Sequence, residues 1–108
     1  MAPSPLPFHD KSRLPKELGL EDIARIQEAF RTAARRALAA GFEWIEVHTA
    51  HGYLMHSFYS PISNKRTDRY GGSPEARARL TVEVTRAVAE AIGADRVGIR
   101  ISPAHNIQ

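Results

Sequence analysis

The sequence predicts an α/β chain that is one piece of a (β/α)8 TIM barrel, in the order helix, strand, loop, helix, strand. Three observations carry that expectation. A strand, a long helix and a second strand follow one another with no hairpin turn, so the strands must run parallel through a right-handed crossover. Each strand is apolar on one face and carries a charge or an imidazole near the C-terminal end of the other. An open doubly wound sheet, covered by helices on both sides, would be apolar on both faces, whereas a barrel keeps its chemistry on the C-terminal rim. Finally, a whole barrel takes eight strands and on the order of 250 residues, so 108 residues supply about a quarter of one. The whole chain, 1–108, therefore reads as part of a barrel domain.

Four of the seven prolines (Pro3, Pro5, Pro7 and Pro15) fall in residues 1–18, which marks an irregular lead-in. Leu20–Ala40 reads as an amphipathic helix: Ile23, Ile26, Phe30, Ala33, Ala34, Ala37 and Leu38 recur at spacings of three and four, and Gly41 stops it. Phe42–His48 reads as a strand, with Ile45 and Val47 on one face and Trp44, Glu46 and His48 on the other. Trp44 then becomes a packing residue of the inner face. Residues 49–73 form a long polar loop, with a helical turn around Leu54–Tyr59.

The second helix announces its start. Ser73 is the N-cap, Pro74 takes the first helical position and Glu75 lies in the first turn. Leu80, Val84, Ala87, Val88, Ala91 and Ile92 form its buried stripe, and Gly93 ends it. Arg96–Ser102 is the second strand, with Val97, Ile99 and Ile101 on one face and Gly98, Arg100 and Ser102 on the other.

Composition narrows the function classes. The net charge is +3, but the basic residues are scattered and alternate with acids, so they read as solvated helix faces and not as a nucleic-acid surface. No cysteine is present, which removes disulfides and thiolate metal sites. The proline-rich start lacks the apolar stretch of a signal peptide, and no run reaches membrane-spanning length. A cytoplasmic protein acting on a small molecule is the expectation.

The chemistry concentrates in Val47-His48-Thr49-Ala50-His51-Gly52-Tyr53-Leu54, where the first strand runs out. Two imidazoles three residues apart can grip one oxygen atom, and a phenol two residues on can give a proton beside it. Other readings stay open on the residues alone. His48, His51 and His56 could ligate a metal, although no carboxylate joins them at helical spacing. Tyr53 could serve packing alone, and Arg100 could merely pair with Glu46. Gly71-Gly72-Ser73 could hold an anion on backbone amides, or simply cap the helix that follows.

The run His48-Thr49-Ala50-His51-Gly52-Tyr53-Leu54 continues through Phe58, Ser60-Pro61, Ser63-Asn64, Arg66-Thr67-Asp68, Tyr70-Gly71-Gly72-Ser73 and Arg77. Together with Ala40-Gly41-Phe42 upstream and Asp95 to Pro103 downstream, it resembles the old yellow enzyme family of FMN-dependent ene-reductases over about residues 15–108. The resemblance implies hydride transfer from NAD(P)H through FMN to activated alkenes such as enones and nitroalkenes. It implies that His48 and His51 bind the oxygen of the activating group, although some relatives carry asparagine at the second position. It implies that Tyr53 is the acid that protonates an alkene carbon, and that Arg100 lies beside the flavin pyrimidine ring. There a fixed positive charge favours an anionic reduced flavin.

Two function classes stand side by side. In one, the chain is part of a working oxidoreductase; in the other, it is a catalytically inactive truncated barrel that serves at most in assembly. The start at Met1 and the end at Asn106-Ile107-Gln108, without cap or stop signal, lead to the expectation of a longer reading frame. The natural substrate, the choice between NADH and NADPH, and the oligomeric state are not encoded in these residues.

Overall fold

The computed structural model describes residues 1–6 and 14–102. Its elements run α1 (Leu20–Ala39), β1 (Ile45–His48), α2 (Leu54–Tyr59), α3 (Pro74–Ile92) and β2 (Val97–Arg100), with a single 3₁₀ turn at Ala94–Arg96. The readings placed on Pro7 and on residues 103–108 lie outside the described residues.

The first helix begins without a side-chain cap on Gly19; the Gly19 N–H donates instead to Asp22 Oδ2 at 2.9 Å. That bond, together with nearby Lys16 and Arg25, holds the Asp22 carboxyl below the ordinary carboxylate range. At the other end Phe42 N–H donates to Ala37 O and Gly41 N–H to Leu38 O, both at 3.1 Å. This paired closure needs a left-handed residue, which Gly41 supplies at φ 105°. The sequence placed the helix end within one residue. Ala33, expected in the buried stripe, is exposed, because it sits at the edge of the arc centred on buried Ile23 and Ala34.

Ser73 caps α3 as expected, its Oγ accepting from Ala76 N–H at 3.1 Å, and Pro74 occupies the first turn. The Gly71-Gly72-Ser73 turn therefore serves as a cap. Leu80, Val84, Ala87, Val88 and Ile92 are buried and Ala91 is partly so. Burying each of the larger ones is worth about 1.5–3 kcal/mol.

The core joins Leu18, Ile23 and Ala34 to Val47 of β1, Met55 and Phe58 of α2, Tyr70 of the loop and the stripe of α3. Glu83 ties three segments together: its Oε1 accepts from Gln27 Nε2 and from the Tyr70 hydroxyl, each at 2.6 Å. Burial and that carboxylate push the Tyr70 hydroxyl above the ordinary phenol range, which keeps it a donor.

β1 and β2 are parallel, with Ile45, Glu46, Val47 and His48 paired to Val97, Gly98, Ile99 and Arg100. Both strands are shorter than the sequence suggested. Continuing that register, the partners of residues 42–44 are residues 94–96, and those form the 3₁₀ turn. No ladder can form there. The parity holds in β1, where Val47 is buried against the helices and Glu46 and His48 are exposed. In β2 Arg100 is exposed as expected. Ile99 and Ile101, expected on the packed face, are 45% and 64% exposed, because no helix among the described residues covers that end of the strand. Trp44 departs from its expected packing role. It is 56% exposed and lies over Gly98.

The lead-in is irregular, but it is also fastened. Ala2 and Glu17 form an isolated parallel bridge, and Leu18 N–H donates to Ala2 O at 2.9 Å. Arg66, whose side chain is only 5% exposed, donates from Nη1 to Pro3 O at 3.0 Å and also to Leu18 O. A loop cation thus secures two backbone segments upstream. Asn64, buried, fixes the same loop by donating from Nδ2 to Phe58 O and Tyr70 O at 2.6 and 2.8 Å. Its Oδ1 accepts from Arg66 N–H at 3.0 Å.

Candidate active site

The strand register sets the site. His48 and Arg100 are directly paired at the last position of each strand, so an imidazole and a guanidinium stand side by side on the exposed face. Thr49 locks this end of the sheet. Its amide donates to Arg100 O at 3.0 Å and its hydroxyl to the same oxygen.

Beyond Thr49 the chain turns back sharply. His51 adopts φ 59°, the one non-glycine residue with positive φ among those described, and Gly52 follows at φ 80°. This turn brings the rings together. The His48 and His51 centroids are 5.6 Å apart with their planes at 70°, and His48 and Tyr53 are 5.4 Å apart at 66°. His48 Nδ1 accepts from Ala50 N–H at 3.3 Å, which leaves Nε2 to carry the proton of the neutral ring. Tyr53 forms the N-cap position of α2 and is 66% exposed, so its hydroxyl can meet a ligand.

Arg100 does pair with Glu46, as one reading of the sequence allowed. Its Nε donates to Glu46 Oε1 at 2.7 Å, and Nη2 stands 3.5 Å from Oε2. Both side chains remain about half exposed. The pair aims the guanidinium and leaves Nη1 without a hydrogen bond among the described residues. A flavin ring, whose pyrimidine edge is rich in acceptors, suits that donor. The residues present therefore fit FMN.

All four residues singled out by the sequence come together: His48, His51 and Tyr53 as one cluster of rings, and Arg100 beside His48 across the sheet. Among the described residues no group of three or more His, Cys, Asp or Glu side chains could hold a metal. Two participants were missed. Ser102 Oγ accepts from His51 N–H, and His56 Nδ1 accepts from Gly52 N–H, each at 2.9 Å. The parity of Ser102 placed it on the correct face, but nothing in the sequence signals a left-handed histidine.

Residues 3–108 match the NADH:flavin oxidoreductase / NADH oxidase family. An NADPH dehydrogenase of Bacillus licheniformis is 53% identical over 100 residues, 93% of this chain and 29% of that protein. A putative 12-oxophytodienoate reductase 9 of Oryza sativa subsp. japonica is 54% identical over 89 residues, 82% of this chain and 22% of its own length. The crystal structure of Old Yellow Enzyme from Pichia sp. AKU4542 superposes with a TM-score of 0.92 at 45% identity, covering 94% of this chain and 29% of that one. The chain thus spans less than a third of the length of the relatives it matches. The superposition bears out the fold: a fragment of a (β/α)8 barrel.

Proposed function

Because the chain belongs to the NADH:flavin oxidoreductase / NADH oxidase family, we propose that it forms the substrate-clamping quarter of an FMN-dependent, NAD(P)H-consuming reductase of activated alkenes. Enones are the central substrate class and nitroalkenes a second. The cytoplasm, where NAD(P)H is supplied, is the proposed setting. The observation that carries this reading is the ring cluster at the strand end: His48 within 5.6 Å of His51 and 5.4 Å of Tyr53, beside Arg100.

FMN, when bound, supplies the hydride chemistry that no amino-acid side chain can. The chain's own residues do the rest. His48 donates from Nε2, and with His51 binds the carbonyl or nitro oxygen of the substrate. As hydride adds to the alkene, negative charge grows on that oxygen, and donors already in place stabilise it most at the transition state. Tyr53 delivers a proton to the alkene carbon next to the activating group. Arg100, aimed by Glu46, presents a fixed positive charge to the cofactor.

The test uses this chain joined to the remainder of its barrel. The flavoprotein should consume NADPH in proportion to the cyclohex-2-enone or 1-nitrocyclohexene supplied. His48→Ala should lower kcat/KM for both on the order of a hundredfold. Undiminished enone reduction by His48→Ala, with flavin content unchanged, would remove the clamp from the reading.

A further inference from the structure

Two side chains that take no part in the proposed reaction hold the turn between the clamp histidines. His51 N–H donates to Ser102 Oγ and Gly52 N–H donates to His56 Nδ1, each at 2.9 Å. Ser102 Oγ lies 3.4 Å from that same Nδ1. The amide of Gly52 can only donate, so His56 Nδ1 must accept and the ring proton of the neutral imidazole sits on Nε2. That lone pair is taken by Gly52, so Ser102 Oγ serves as the acceptor for His51 N–H and lies beside the His56 ring. The two bonds hold adjacent backbone amides.

The backbone they hold is one that resists its conformation. A side chain at φ 59° enters the left-handed region, which a residue with a Cβ adopts only at a steric cost. Such a conformation persists where its surroundings over-determine it. Here the restraint comes from two directions: His56 from α2, two residues after its start, and Ser102 from just beyond β2, the strand that carries Arg100.

We propose that His56 and Ser102 are positioning residues, a latch on the His51–Gly52 backbone that sets the spacing of His48, His51 and Tyr53. The inference rests on the clamp-and-acid reading above and adds to it. The latch requires an acceptor at position 56, not an imidazole as such. Asparagine carries an amide oxygen at about the same reach as Nδ1 and serves equally; leucine leaves the Gly52 amide unpaired. Ser102 also links the clamp turn to the strand holding the guanidinium, so oxygen recognition and cofactor contact keep a fixed relation.

The test uses the complete flavoprotein with His56→Leu, His56→Asn and Ser102→Ala. Backbone hydrogen exchange is read at His51 and Gly52, with α3 amides as the internal standard. Steady-state kinetics are read with cyclohex-2-enone. In His56→Leu the Gly52 amide should exchange about tenfold faster while α3 is unchanged. Its kcat/KM should fall about tenfold to a hundredfold, as expected for a displaced catalytic group. His56→Asn should restore both. Should His56→Leu fail to fold, Ser102→Ala removes only a hydroxyl and should give the same pattern at His51.

Unchanged exchange in both variants would show that no latch exists. Faster exchange with unchanged kinetics would overturn the positioning role. Should His48→Ala leave enone reduction intact, the clamp reading fails, while the exchange result still decides whether the latch is present.

Discussion

The indole of Trp44 lies across Gly98 of the neighbouring strand: a Cβ on Gly98 would stand 2.6 Å from Cζ3 and closer still to Cη2. Gly98→Ala therefore forces the ring aside. Overpacking of this kind costs about 1–3 kcal/mol, and here the lower end is expected because Trp44 is more than half exposed and can swing. Thermal melts of the complete protein should show that Trp44→Ala combined with Gly98→Ala loses less than the two single variants summed. Strict additivity would mean the two residues do not interact.

Asn64 is expected to be among the least replaceable loop residues. Its amide nitrogen serves two carbonyls and its oxygen one amide, all away from solvent. Asn64→Asp trades both donors for acceptors facing carbonyl oxygens, with a cost of about 3 kcal/mol or more. Denaturant midpoints would measure it. A change below about 1 kcal/mol would mean that the loop rearranges freely.

Acid should loosen the same loop. Hydrogen bonds from Arg66 hold the Asp68 carboxyl below its ordinary value of about 3.8. A depressed folded value means that Asp68 stabilises the fold above that ordinary value and ceases to do so as pH falls through the folded one. Stability should therefore drop below about pH 4. Asp68→Asn should be less stable at neutral pH and show a shallower acid limb. A parallel acid limb in the variant would assign the loss to other carboxylates.

Residues 1–108 alone should neither hold FMN nor unfold cooperatively. Phe42, Trp44 and Ile101 are each more than half exposed, and a sheet of two strands leaves both edges unpaired. FMN fluorescence titration and a circular dichroism melt suffice. Saturable quenching at micromolar chain that disappears in Arg100→Ala, or a sharp monomeric transition, would show this piece to be self-sufficient.

In the complete flavoprotein, Tyr53→Phe should separate the two half-reactions. Reduction by NADPH needs no acid from the protein, whereas saturating an alkene needs a proton. Losing a positioned acid costs about a hundredfold to ten-thousandfold in the second step. Stopped-flow flavin absorbance resolves both. Slowed reduction with normal reoxidation would give Tyr53 a different role.

The helices were legible because their ends are written in local chemistry: Ser73-Pro74-Glu75 opens α3, and Gly41 and Gly93 close α1 and α3 at positive φ. Strand parity was legible for the polar residues, placing His48 and Arg100 on one face from the alternation alone. Strand length was not legible, since it depends on what lies opposite, and a 3₁₀ turn faces residues 42–44. The fastening of the lead-in by Arg66 was hidden for a similar reason. A guanidinium that reaches back 48 and 63 residues in the chain leaves no periodic trace. The hold of His56 and Ser102 on the His51–Gly52 backbone escaped notice because their partners are backbone amides, exposed to them only by the left-handed turn at His51.

His48, His51, Tyr53 and Arg100 all hang from one strand–helix–strand crossover, bounded by Gly41 and Ser102. Such a unit is suited to recombination. Exchanged as a block between two barrels of the family, residues 41–102 should carry the proposed oxygen recognition and proton delivery with them, while the recipient supplies the rest of its own barrel. Crossover points inside the block should be poorly tolerated, because a cut between positions 52 and 56 or between 48 and 100 would join halves whose spacing was never matched. Substrate profiles of such chimeras would then follow the donor of the block, and inactive recombinants should cluster at internal junctions.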